Sequence, residues 1–272
     1  MNHFYFYRYN LGRCSVEEWN LLNKQLNNLN QYKKNTIGAM SRYDVEYMRY
    51  YTGLDAKLVP SYSGFYMEAT YKPTHTEFLI FTVFTKDQPF VDAVKQSLKT
   101  VDIEAEFVYD VYKHYETNDL VNHPAVILLP YSVMSFRLTE LYSLGIPLFI
   151  PSPKFFRNIG GMGHDRTSTS EPYCDKDPLL EEKMRPGLDL STHLYSPNID
   201  FSQNAEAEMY WLQYADFYDW PHIQHFDSYD HLKEILPKAD LKSIHEDMLE
   251  ELAFKKLKVT KAWCDISARI LS

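Results

Sequence analysis

The stretch 123–152, HPAVILLPYSVMSFRLTELYSLGIPLFIPS, constrains the fold more than any other part of the chain. Two apolar runs without alternation, 125–131 and 146–152, flank a segment over 134–144 that stops at Gly145. Runs of that length suit strands buried on both faces, and such strands belong to parallel sheets covered by helices. The layout predicts strand, turn, helix and strand, with Glu140 carried on the helix. In open α/β folds the ligand crevice lies at the carboxyl ends of the strands, and this unit can present Glu140 there.

The same rhythm begins upstream. EFLIFTVF (77–84) reads as a buried strand, and 88–100 as a helix with Pro89 in its first turn. EAEFVYDVY (104–112) reads as a strand, and 114–122 as a helix or turn. This alternation predicts a parallel sheet with right-handed crossovers. Before it, 3–9 reads as an aromatic-rich strand and 15–30 as a helix opened by a Ser15–Glu18 capping box. A short strand follows over 36–41, then a helix over 42–52 closed by Gly53, the short strand KLVPS, and a linker over 61–76. After 152 the rhythm breaks. Glycines, prolines, Ser and Thr over 153–200 read as a long loop beside the crevice. Helices are expected over 203–218 and 229–236. The tail, 241–271, shows one apolar stripe interrupted near 255–258.

The totals narrow the function classes. The chain has 272 residues and a formal net charge of −9, with no face-wide basic run, so duplex nucleic acid is not an expected partner. Three cysteines, Cys14, Cys174 and Cys264, lie far apart without a CxxC pair, so neither a disulfide framework nor a zinc site is expected. No apolar run reaches the length of a transmembrane segment, and the start has no apolar signal region. The chain reads as cytoplasmic as it stands, or as lumenal in the Golgi or endoplasmic reticulum if an upstream anchor precedes it. The histidines show no ligand spacing, and GxSxG, Walker and GxGxxG patterns are absent. His123 reads as a hydrogen-bonded structural residue, and the aromatic-dense segment 211–226 as helix packing on the sheet.

The segment 132–147, with Glu140-Leu-Tyr-Ser-Leu-Gly145-Ile-Pro147, resembles the donor-binding core of GT-B glycosyltransferases. There a Glu on a short helix precedes Gly-x-Pro and a hydrophobic strand. The segment 37–60 is similar to the last part of the family's N-terminal domain. The resemblance implies a Rossmann-like parallel sheet flanked by helices, a small α/β N-terminal remnant over 1–75, a donor domain over 76–272 with a loop insertion near 153–200, and a long C-terminal helix. It implies that Glu140 accepts hydrogen bonds from the ribose hydroxyls of a nucleotide, since an ionised carboxylate only accepts and can hold a diol with both oxygens. It places Lys86 at the end of the first strand, opposite the donor diphosphate, with Arg157 a further cation.

Retaining members often carry an earlier Glu where this chain has Ser132, and their glycine-rich turn is replaced by Val133-Met134-Ser135-Phe136. The amides of Ser135 and Phe136 at the helix start, with Arg137, are the candidates to hold a diphosphate. Ser41, at a strand-to-helix junction, and His164 and Asp165, in the long loop, are candidate acceptor contacts. Ser41 reads equally as a helix cap. The expected activity is sugar transfer from a nucleotide-diphosphate donor, UDP-linked first, to an unidentified acceptor, with no cofactor and no metal. About 75 residues before the donor domain are few for a full first domain, so that domain is expected to be minimal or truncated. The rival readings are a non-catalytic nucleotide-sugar-binding module and a nucleotide-sugar epimerase of similar fold.

Overall fold

A computed structural model describes residues 16–32, 34–83, 87–160, 193–195, 197 and 204–271, without the side chains of 16–19 and 51. The expected strand over 3–9 lies outside these residues. The first elements are α1 (Val16–Gln31), β1 (Gly38–Ala39), α2 (Arg42–Thr52) and β2 (Lys57–Leu58). The short strands β1 and β2 pair in parallel, Gly38 beside Lys57 and Ala39 beside Leu58. Ser41 caps α2 by accepting from the Asp44 N–H at 3.0 Å. Gly53 closes the helix at φ 68°, the left-handed conformation that glycine adopts without a side-chain clash.

The main sheet has five parallel strands in the order β4-β3-β5-β6-β7. These are β3 (Phe78–Phe81), β4 (Ala105–Phe107), β5 (Val126–Leu128), β6 (Leu148–Pro151) and β7 (Gln224–Phe226). Between them run α3 (Gln88–Lys99), α4 (Val108–Val111), α5 (Thr117–Val121), α6 (Phe136–Ser143), α7 (Pro153–Asn158), α8 (Ala205–Leu212) and α9 (Asp216–Asp219). Then come α10 (Tyr229–Ile235) and α11 (Leu241–Leu271). The chain is α/β, with helices on both faces of the sheet and a long C-terminal helix.

Each strand feeds two cores because successive side chains point to opposite faces. Ile80, Ile127, Phe149 and Phe226 enter one core with residues of α2, α3, α8 and α10. Leu79, Phe81, Val126, Leu128, Leu148 and Ile150 enter the other, with residues of α5, α6 and α11. Burial on both faces accounts for the unalternating apolar runs.

Four local expectations need correction. The strand expected over 104–112 ends at Phe107, where the chain turns into α4 with Val108 fully buried against β3 and α5. The helix expected over 203–218 is two helices, because the chain turns at 213–215 before α9. Residues 153–158 form α7 instead of loop, with Pro153 in the first turn and Ser152 accepting from the Phe155 N–H. The tail is one continuous helix: Lys255, at the apparent interruption, is itself buried beside Tyr142 and Trp220. The linker 61–76 makes specific contacts. The Ser63 N–H donates to Ser143 Oγ at 3.2 Å and Tyr71 Oη to the Pro124 carbonyl at 2.7 Å, so the segment straps across α6 and α5.

Candidate functional site

The order of the sheet puts a crevice in a definite place. From β3 the chain goes to the edge strand β4, then crosses back to β5 on the other side of β3. The two crossovers part above the carboxyl ends of β3 and β5, and open α/β sheets bind ligands at such a switch point. Phe81 and Leu128, the last residues of these strands, are register partners. The Arg137 guanidinium lies 5.3 Å from the centre of the Phe81 ring and 4.9 Å from that of Tyr115. Arg137 therefore marks the switch point, held beside two aromatic rings, themselves packed edge to face, that attract a cation.

Glu140, one turn further along α6, pairs with Arg137 at 2.6 Å. Both side chains keep about a quarter of their surface exposed, so the pair stays in contact with solvent and contributes little to stability by itself. The two line a cleft of about 760 Å³. Its other walls are Tyr66–Ala69 of the strap and 115–118 at the start of α5. Burial pushes the Tyr115 phenol up to about 12, with Arg137 pulling it back; at neutral pH it is a hydrogen-bond donor. Among the described residues, Glu68, Glu116 and Glu140 face Arg137 as the charged groups of the lining. Carboxylates, amide and hydroxyl groups around one cation suit a ligand rich in hydroxyls.

The turn from β5 to α6 holds the other expected donor contacts. Ser132 Oγ donates to the Met134 carbonyl at 2.6 Å. Ser135 caps α6: its Oγ accepts from the Leu138 N–H at 3.2 Å and donates to Tyr131 Oη at 2.8 Å. Both hydroxyls thus shape the turn. Phe136 is exposed at the first position of the helix, where a backbone N–H has no carbonyl one turn earlier to bond. Arg137 and Glu140 are brought together, with Ser132, Ser135 and Phe136 in the turn that precedes them.

The remaining candidates fall elsewhere. Ser41 is buried and lines a second cavity, of about 250 Å³, with Arg42, Tyr142, Asp216 and Lys255. Arg157 pairs with Glu208 of α8, on the opposite side of the sheet from α6. Lys86, His164 and Asp165 lie outside the described residues. His123 is buried, with Nδ1 bonded to the Glu77 carbonyl at 2.7 Å and Nε2 to Tyr112 Oη at 2.8 Å; burial lowers its pKa. Trp211 is fully buried against Tyr43 and Tyr50 of α2. Among the described residues no group of three or more His, Cys, Asp or Glu is placed to hold a metal ion, and no helix is long and apolar enough to cross a membrane.

The residues 66–69 escaped the sequence reading because the strap resembled a linker. Its apolar residues Tyr62, Met67, Ala69 and Tyr71, all packed on the core below, were the available signal. Lys255 escaped because a lysine inside an apolar stripe reads as a break in the stripe. Comparison of the chain with protein-family models, curated proteins and solved structures gave no match.

Proposed function

We propose that the cleft beside Arg137 and Glu140 binds a nucleotide-sugar, and that the chain is the donor-binding part of a GT-B type glycosyltransferase. The observation that carries this reading is the seat of the Arg137–Glu140 pair at the carboxyl end of β3, where the sheet reverses its order. In the bound state Glu140 accepts both hydroxyls of the ribose. Arg137, displaced from Glu140 by the ligand, turns to the diphosphate together with the first N–H groups of α6. In the transfer step the oxygen of an acceptor hydroxyl forms a bond to the anomeric carbon and gives up its proton to water as the bond from that carbon to the diphosphate breaks. Negative charge then grows on the leaving phosphate, where a fixed cation and backbone donors lower the barrier.

A second reading is favoured by one feature of the cleft. Among the described residues of the lining, Glu68, Glu116 and Glu140 outnumber the one cation, Arg137, a balance that suits sugar and ribose hydroxyls better than a diphosphate leaving group. A binding module without transfer activity fits that balance. Hydrolysis of a nucleotide-sugar by the purified chain counts against this second reading.

The test is thermal stability against UDP, GDP, ADP and CMP, wild type beside Glu140→Ala. A ligand that binds only the folded state raises the midpoint by mass action. The expected result is a rise with one nucleotide, UDP first, that Glu140→Ala loses. The loss corresponds to about ten- to a hundredfold in affinity, as for hydrogen bonds to a charged group. No shift with any nucleotide, or equal shifts in both proteins, overturns the assignment.

A further inference from the structure

The second cavity lies on the other side of α6, between β1, β2 and α2 of the N-terminal unit and α9 and α11. Its rim is at the surface, where Arg42 and Lys258 are largely exposed. Among the described residues six charged side chains line it, three of each sign. Arg42 pairs with Asp219 at 2.6 Å and Lys258 with Glu251 at 3.9 Å. That leaves Lys255 and Asp216, which form no direct ion pair with each other although both face the cavity. The Lys255 ammonium rests on the ring of Trp220, near Tyr142. Asp216 is buried, and among the described residues its Oδ2 has no hydrogen-bond partner. A buried carboxylate oxygen without a partner is costly, and such a group calls for a role.

We propose that this cavity is a reactive-lysine site, in which Lys255 condenses with a small uncharged aldehyde or ketone and Asp216 relays the proton. The volume of about 250 Å³ takes a ligand of about eight heavy atoms, at the ~30 Å³ that a water molecule occupies in the liquid. An uncharged ligand matches the charge balance, because the rim charges already pair and the remaining two cancel. The Lys255 nitrogen adds to the carbonyl carbon. The oxygen takes a proton from the Asp216 carboxyl, and the new ammonium centre returns one to Asp216. The carbinolamine then loses its hydroxyl as water, on protonation by Asp216, leaving a protonated imine between Lys255 and the former carbonyl carbon beside the Asp216 carboxylate, which takes back the nitrogen's proton as the neutral imine forms. No oxidant or reductant is involved.

The environment prepares both groups. Burial pulls the Lys255 amine down to about 7, with Asp216, Glu251 and Asp219 opposing and Lys258 assisting. Burial likewise holds the Asp216 carboxyl well above the usual range, with Lys255 opposing and Asp44 and Asp219 assisting. A large share of Lys255 is therefore the neutral nucleophile near pH 7, where an ordinary lysine is almost wholly protonated.

The experiment is reductive trapping of the full chain with glyceraldehyde and cyanoborohydride at pH 7, read by peptide mass. Lys255 is expected to be labelled at least about tenfold faster than the exposed Lys242 and Lys258, as its lower pKa dictates. Asp216→Asn is expected to slow labelling of Lys255 by about a hundredfold or more, as loss of a general acid does, and to leave Lys242 unchanged. Labelling of Lys255 no faster than Lys242, or an unchanged rate in a folded Asp216→Asn, overturns the site. Should Asp216→Asn fail to fold, the wild-type profile decides: half-maximal labelling of Lys255 near pH 7 supports the site, and a rise only near pH 10 overturns it. The nucleotide experiment reads a different cavity, so either proposal can fail alone.

Discussion

Two pairs of opposite charges flank α6, and they behave differently. Arg137 and Glu140, on one side, share a contact of 2.6 Å and remain partly exposed. Lys255 and Asp216, on the other, are buried beside Tyr142 and Trp220 without touching each other. Water stabilises the first pair in its ionised form at small energetic consequence. Removal of water from the second pair disfavours both charges, and this lowers one pKa and raises the other. The same residue types thus give a polar recognition cleft in one place and proton-sharing groups in the other. The difference comes from what packs over them: the open strap 61–76 over the cleft, and the helix α11 over the cavity.

Three measurements can break or sharpen that contrast. The largest effect is expected at Gly145, which ends the helix that both sites share. Its φ is 66°, and a Cβ there would stand 2.6 Å from His245 Nδ1 and 3.1 Å from Leu249. His245 also bonds the Gly145 carbonyl at 2.7 Å. Left-handed strain and the clash with α11 together predict a loss of about 4 kcal/mol for Gly145→Ala, measured by urea unfolding. A loss below about 1 kcal/mol would mean that α11 does not pin α6, and that the two sites are less tied than the packing indicates.

Lys255→Met is expected next. Lys255 gives up its proton near pH 7 in the folded chain and at its ordinary value of 10.5 in the unfolded chain. Between these values the unfolded chain binds more protons at this lysine, so the contribution of Lys255 to stability rises with pH across the window. Lys255 by itself contributes a gain on the order of 3 kcal/mol from pH 7 to pH 10, offset in part by Asp216, whose carboxyl is held above its usual range and acts in the opposite sense. Lys255→Met is expected to remove the Lys255 contribution. An equal slope in both proteins would show that Lys255 is not desolvated. The smallest change belongs to Glu140→Ala, which should alter stability at pH 7 by no more than about 0.5 kcal/mol, because its ion pair is solvated. A larger loss would mean that the exposed pair, too, is structural.

Much of the fold was legible locally. The apolar runs at 77–84, 125–131 and 146–152 contain β3, β5 and β6, and Gly53 and Gly145 stop the helices they follow. Strand β7 was not legible, because Gln224-His225-Phe226 carries a single apolar side chain and is recruited by pairing with β6. Nor was α4, where the apolar, β-prone run 107–112 turns helical once Val108 must fill the core beside Phe81 and Leu120. At the cleft, the helix bearing Glu140 and Arg137 followed from spacing, but the seat of Arg137 against Phe81 and Tyr115 and the wall at 66–69 depended on contacts across the chain.

What the sequence determined by itself is the βα alternation, the burial of the strands on two faces, and the amphipathic C-terminal helix. Each of these rests on a short-range period of side chains along the backbone. What only the tertiary structure decided is the order of the strands, the folding of the strap into a wall, and which charges lose their water. Lys255 shows the reason. Its place in the stripe of Met248, Leu252, Val259 and Ala262 follows from helical spacing. Its protonation depends on Trp220, Tyr142 and Asp216, residues distant in sequence that packing places around it.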